Sequence, residues 1–89
     1  MDPKNAKAET NLANALLRKG MRPEARRHYE HALSVDSGLV LAHKHLGDIL
    51  LGSGEYDAAV AQYSEALRLN PALPNAKDDL SFARSLAGR

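Results

Sequence analysis

Cysteine and tryptophan are both missing from this chain. Without thiols the protein can form neither a disulfide nor a thiolate metal site, so sulfur redox chemistry is excluded. The absence of cysteine agrees with a reducing compartment. The first residues also lack the apolar core of a secretion signal. A cytoplasmic location is therefore expected.

An excess of charge of one sign is missing too, because the formal net charge is only +1. No general electrostatic attraction to nucleic acid or to anionic lipid follows from such a balance. The longest apolar runs, such as 49–51, are far too short to span a bilayer. We therefore expect no nucleic-acid partner and no direct insertion into a membrane.

Catalytic motifs are the third absence. Ser34, Ser64 and Ser81 lie in predicted helices, and none is flanked by the glycines of a nucleophile elbow. No phosphate-binding loop and no dinucleotide fingerprint occurs in the sequence. A chain of 89 residues also buries too little surface to enclose a deep active site easily. The sequence thus predicts one small domain that is not an enzyme and needs no cofactor.

What the sequence does contain is an internal repeat with a period of about 34 residues. The matches fall on small and apolar residues, which carry packing, and a third, partial copy continues the same frame. The matched positions are Ala8, Ala42 and Ala76; Leu12, Leu46 and Leu80; Gly20, Gly54 and Gly88; Ala25 and Ala59; Tyr29 and Tyr63; and Ala32 and Ala66.

Each copy has the pattern of two helices joined by a tight turn. Ala8, Leu12 and Leu16 follow a three-to-four spacing, which predicts an apolar helix face. Gly20 is suited to end this helix, and Pro23 is suited to an early position in the next one. Small residues are expected where the paired helix axes approach most closely, namely at Ala13, Ala25, Ala32, Gly47, Ala59 and Ala66.

The same pattern predicts where the units of the chain begin and end. The first repeat covers about residues 6–39 and the second about 40–73. Pro74 is expected to open a final helix that continues to about Ala87. Arg84 occupies a position where the earlier copies have a large apolar residue. This polar replacement predicts a capping helix with one side in water.

The second copy reads His43-x2-Leu46-Gly47-x2-Leu50, then Gly54, Ala59-x3-Tyr63, Ala66 and Pro71. This pattern resembles the tetratricopeptide repeat, although His43 and Glu9 replace the usual tryptophan. The resemblance implies an all-α fold. Its architecture would be a right-handed α–α superhelix of two helix–turn–helix repeats and a C-terminal capping helix.

The resemblance also implies a function, because such repeats bind a protein or peptide on the concave surface lined by the first helix of each pair. Charge along this surface is graded, with lysine and arginine toward the start and aspartate toward the end. Two interpretations stay open: a ligand of complementary polarity oriented by this gradient, or a solvated face, which the sequence favours slightly. The candidate residues are Lys7, Asn11, Asn14, Arg18, Leu41, Lys44, His45, Asp48, Asp79 and Phe82.

Some members of the family grip a terminal carboxylate with lysine, asparagine and arginine side chains. Carried over position by position, only Asn14 matches that set, and Asp79 would repel a carboxylate. The other corresponding positions hold Thr10, His45 and Asn75. A protein that recognises chaperone tails in this way is therefore not the expected one.

The histidines do not predict a metal site. Zinc needs three or four converging ligands, whereas His28 and His31 belong to an outer helix and His43 and His45 to an inner one. The cluster Arg22, Arg26 and Arg27 has no aromatic neighbours for stacking with bases. No metal is therefore expected, and the arginines are interpreted as a solvated outer face.

A second function remains open from the sequence. The first helix has no preceding repeat to cover Leu12, Leu16 and Leu17, and small arrays are weakly stabilised by their own core. Exposed repeat ends could stack between chains, which would make the protein a self-assembling scaffold or homo-oligomer. The chain could also be a fragment of a longer array.

Overall fold

The computed structural model describes residues 3–88, and within this range the chain forms five α-helices and no strand. The helices are α1 Pro3–Arg18, α2 Arg22–Val35, α3 Val40–Gly52, α4 Tyr56–Leu69 and α5 Ala76–Ala87. Neighbours in sequence pack against one another, α1 on α2, α2 on α3, α3 on α4 and α4 on α5. The all-α prediction is confirmed.

The turns within the two helix pairs have the same geometry. Gly20 has a φ of +80° and Gly54 a φ of +81°. Glycine adopts this left-handed conformation without strain. The amide of Met21 donates to the Leu16 carbonyl at 2.9 Å, and the amide of Glu55 donates to the Leu50 carbonyl at the same distance. These bonds close a Schellman motif, so the predicted helix ends are correct.

The turns between the pairs also repeat. The Asp36 carboxylate accepts a hydrogen bond from the Gly38 amide at 2.9 Å, and the Asn70 side chain accepts one from the Ala72 amide at 3.1 Å. The start of the last helix differs from the prediction, because α5 begins at Ala76 and not at Pro74. Asn75 has a φ of +65°. Its left-handed backbone interrupts the helix that the proline would otherwise have opened.

Small residues and tyrosines form the contacts within each helix pair. The alanines expected at close approaches are all fully buried, as are Tyr29 and Tyr63. An added Cβ on Gly47 would lie 2.8 Å from Cε1 of Tyr63. Glycine at this position therefore lets the tyrosine ring lie directly against the backbone of α3.

The buried side of α1 is not the one that its apolar spacing suggested. Ala6, Thr10 and Ala13 are buried, whereas Ala8 is exposed and Leu12 is 48% exposed. Leu46, one period later than Leu12, is only 3% exposed because α2 packs against α3. No helix within residues 3–88 covers the corresponding side of α1.

Candidate peptide-binding face

The first helices of the repeats, α1, α3 and α5, form one continuous surface, which we call the α1–α3–α5 face. Its best-formed depression has a volume of about 380 Å³ and lies between α1 and the start of α3. Polar side chains of α1 form one wall and an apolar segment forms the other. The depression is lined by Lys7, Thr10, Asn11, Asn14 and residues Gly38, Leu39, Val40, Leu41 and Ala42.

Asn14 links this depression to the core. The Tyr29 hydroxyl, on α2, donates a hydrogen bond to the Asn14 side-chain oxygen. One lone pair of this oxygen is thus used, and the amide nitrogen is a further donor that Asn14 offers to a ligand. The centroid of the Tyr29 ring also lies 5.9 Å from the centroid of the His45 ring on α3. Burial raises the pKa of Tyr29 to about 12, so its hydroxyl stays a donor.

Asp48 is the centre of a second set of contacts. Its carboxylate accepts a hydrogen bond from the Tyr63 hydroxyl at 2.5 Å and another from Lys44 Nζ at 3.0 Å. Burial alone would raise the pKa of Asp48, but the nearby His45 and the hydrogen bonds from Tyr63 and Lys44 outweigh it and hold the pKa below its ordinary value. The carboxylate therefore stays ionised at neutral pH.

Lys44 joins α3 to α5, because its Nζ also lies 3.4 Å from Oδ2 of Asp79. Burial would lower the pKa of Lys44, yet the two aspartates reverse this effect and the net change in the pKa is upward. Its charge is thus largely compensated by protein groups. Lys44, Asp48 and Asp79 consequently serve first as links between helices.

The structure separates the ten candidate residues into groups. Lys7, Asn11, Asn14 and Leu41 line the depression. Lys44, His45, Asp48 and Asp79 belong to the contacts at the centre of the face. The two remaining candidates lie apart: Arg18 is exposed at the end of α1, and Phe82 is 57% exposed on α5.

Among the lining residues that were not candidates, Leu39 and Val40 supply the apolar wall, where the turn after Gly38 passes into α3. The others are Thr10, Gly38 and Ala42. The unbroken apolar run 38–42 after a turn was the available sequence signal.

The four histidines divide between different partners. On the outer side, the Nδ1 atoms of His28 and His31 both bond the Glu9 carboxylate, His28 at 3.1 Å. The buried His43 contacts the Gln62 side chain and the Ser37 carbonyl oxygen, each at 2.8 Å. Among residues 3–88, no group of three or more histidine, aspartate or glutamate side chains is placed to hold a metal ion.

One of the three arginines of α2, Arg26, also has partners in the fold. The Arg26 guanidinium makes two hydrogen bonds to the Glu55 carboxylate, at 2.5 and 3.2 Å. It makes a third, longer one of 3.4 Å to Glu30. This ion pair joins α2 to the turn before α4 and compensates one of the three arginine charges.

In the described part of the chain, no helix is long and apolar enough to cross a membrane.

Two antiparallel helix pairs, a fifth helix and a shared inner face define a helical-repeat scaffold. The family model described as Tetratricopeptide repeat matches residues 10–74. The chain therefore belongs to the tetratricopeptide repeat family. Among curated proteins, none matches it in sequence.

One solved structure shares the fold over nearly the whole chain. It is described as the second TPR of Spaghetti (RPAP3) bound to the HSP90 peptide SRMEEVD. The TM-score is 0.88 at 20% sequence identity, and the match covers 97% of this chain and 80% of that one. At this identity the likeness establishes the fold alone.

Proposed function

We propose that this chain is a non-catalytic docking module that holds an extended segment of a partner protein on the α1–α3–α5 face. The observation that carries the proposal is the exposure of two apolar side chains on this face, one lining the depression and one on α5. Leu41 is 51% exposed and Phe82 is 57% exposed, and both occupy first-helix positions of this face. Exposed apolar groups gathered on one face are typical of an interaction site.

The structural neighbour supports the same proposal in general terms, because that protein holds a peptide on the same fold. The peptide itself does not transfer to this chain. Of the family positions that grip a terminal carboxylate, only Asn14 is matched here, and its oxygen is engaged by Tyr29. The contacts available to a ligand are instead Lys7, Asn11 and the apolar wall.

The test uses two leucines that are almost equally exposed. Peptides would be selected on the purified chain from a displayed library, and the affinity of the best binder measured by fluorescence anisotropy. Leu41→Ser should weaken binding several-fold, whereas Leu12→Ser, on the uncovered side of α1, should leave it unchanged. If Leu12→Ser alone weakened binding, the docking site would have to be moved to that side.

Self-assembly is the second candidate function, and a specific contrast favours it. Leu12 is 48% exposed, whereas the equivalent Leu46 is 3% exposed under α2. A second copy covering α1 would remove this difference. Light scattering over a wide concentration range would then show a mass above 9.6 kDa, and Leu12→Lys would restore the monomer. A constant monomeric mass contradicts this function.

A further inference from the structure

The sign of the charge changes across the α1–α3–α5 face. On α1 the charged candidates are Lys7 and Arg18, and the one carboxylate of that helix, Glu9, is engaged by histidines of α2. On the α3 and α5 side of the face, Lys44 Nζ lies 3.0 Å from Asp48 and 3.4 Å from Asp79. A third aspartate, the exposed Asp78, lies one period after Lys44. The face is therefore positive at α1 and negative at α5.

The depression at the α1 end is rich in donors. Asn14 presents its amide nitrogen because its oxygen is bonded to Tyr29. The Thr10 hydroxyl donates to the Ala6 carbonyl at 2.8 Å and adds no free donor. Lys7 and Asn11 complete this wall, opposite an apolar one. A carboxylate with an apolar neighbour fits such a pair of walls, since each wall satisfies one of the two groups.

The number of cations limits the ligand to one carboxylate at this end. Among the side chains that the structure describes, Lys7 is the single cation that lines the depression. Arg18 lies near the other end of α1. The rise of an α-helix places it about 16 Å from Lys7 along the axis. A free C-terminal aspartate would bring two carboxylates to one ammonium group. An acidic side chain within a continuous segment brings one.

The spacing of the helices limits the length of the segment. From α1 to α5 there are two steps between neighbouring first helices. These helices are not among the pairs that pack closely, so each step is at least the roughly 8–10 Å of a packed pair. An extended peptide advances about 3.3 Å per residue, so at least about five residues are needed to cross the face.

On the basis of the docking function proposed above, we propose a chemical class for the ligand. The α1–α3–α5 face binds an internal, extended segment that carries an acidic residue beside an apolar residue at α1. The same segment carries a basic residue at least about five positions away, over Asp78 and Phe82 of α5. Charge complementarity orients the segment across the helices.

The experiment selects ten-residue random segments displayed between two folded domains, so that no free terminus is offered. Wild-type protein should enrich an acidic residue next to an apolar one and a basic residue at least about five positions away. Selection on Lys7→Glu should lose the acidic preference and keep the basic one. Selection on Asp78→Lys should show the opposite pattern. Lys77→Glu, beside Asp78 but outside the face, is the matched control and should select as wild type does.

The affinity of a selected segment should fall about two- to five-fold in Lys7→Ser or Asp78→Ser, because partly exposed ion pairs are weak. The loss should shrink at high salt. Enriched segments without the mixed-charge pattern, or a pattern unchanged in Lys7→Glu, would overturn the ligand class but leave docking intact as long as binding still required Leu41. Failure to enrich any segment whose binding is weakened by Leu41→Ser would overturn the docking function itself.

Discussion

At the scale of single residues, each helix pair joins its two helices through a buried tyrosine hydroxyl. Tyr29 donates to Asn14, and one period later Tyr63 donates to Asp48. The acceptor is neutral in the first pair and ionised in the second. Only the ionised acceptor has a lysine beside it, because Lys44 is replaced by Thr10 in the first repeat. Lys44 thus stabilises the negative charge of Asp48, whereas the neutral Asn14 needs no such cation.

Asp48→Asn should make the second pair resemble the first. The amide oxygen can still accept from Tyr63, so we expect the free energy of unfolding to fall by at most about 1 kcal/mol at neutral pH. The pKa of Asp48 is depressed in the folded state. Its ionic stabilisation is therefore present above its ordinary pKa and is lost as the pH falls through the folded value.

Urea denaturation at about pH 7 and at successively lower pH would measure this effect. The gap between wild type and Asp48→Asn should close on acidification. Asp78→Asn is the control, because it removes an exposed charge of the α1–α3–α5 face, and it should follow the wild-type curve closely. A constant gap at every pH would show that the Asp48 carboxylate adds no ionic stabilisation.

At the scale of the elements, two local devices repeat along the chain. A left-handed glycine closes α1 and α3, and an aspartate or asparagine side chain caps the turn after α2 and α4. Both depend on residues close in sequence, and the sequence pattern predicted the glycine that ends α1. The start of α5 was predicted two residues early because the left-handed backbone of Asn75 left no periodic signal.

Alanine substitutions at two glycines of α3 would test how closely neighbouring residues approach this helix. A Cβ on Gly47 would lie 2.8 Å from the fully buried Tyr63 ring, and one on Gly52 would lie 2.8 Å from Nη1 of Arg22. The ring cannot move aside, so Gly47→Ala should lower the free energy of unfolding by about 1–3 kcal/mol. The Arg22 guanidinium can swing into solvent, and alanine favours the helix by about 1 kcal/mol, so Gly52→Ala should be neutral or stabilising.

Thermal and urea unfolding of both variants would measure the difference. Equal destabilisation by Gly47→Ala and Gly52→Ala would mean that the close contact with the Tyr63 ring does not control the stability of α3.

At the scale of the whole molecule, the same repeat position has different surroundings in successive copies. Leu46 is buried by α2, whereas Leu12 has no described helix on that side. In dilute solution, Leu46→Ala should lower the free energy of unfolding by about 2–5 kcal/mol, as for buried leucines in general. Leu12→Ala should change it by less than about 0.5 kcal/mol.

Urea denaturation of both variants at low protein concentration is the appropriate measurement. A large loss in Leu12→Ala that grows with protein concentration would indicate that a second copy covers α1, in favour of self-assembly. A large loss independent of concentration would contradict the open side of α1.

The candidate face was predicted only in part. The resemblance brought Lys7, Asn11 and Leu41 to one surface, because the position within the period sets which side of a helix they occupy. It did not reveal that Asn14, Lys44 and Asp79 already have partners within the chain. The contacts of Asn14 with Tyr29 and of Lys44 with Asp79 join residues far apart in sequence. They depend on side-chain geometry and not on the spacing of residues within the repeat.

The sequence by itself determined the repeat period, the helix ends and the small residues at helix contacts, since each is encoded locally or periodically. The tertiary structure alone decided which side of α1 is buried, where α5 begins and which charges compensate one another. A periodic apolar pattern identifies a surface capable of burial, but burial requires a neighbouring element to cover that surface. The uncovered Leu12 and the covered Leu46 differ for this reason alone.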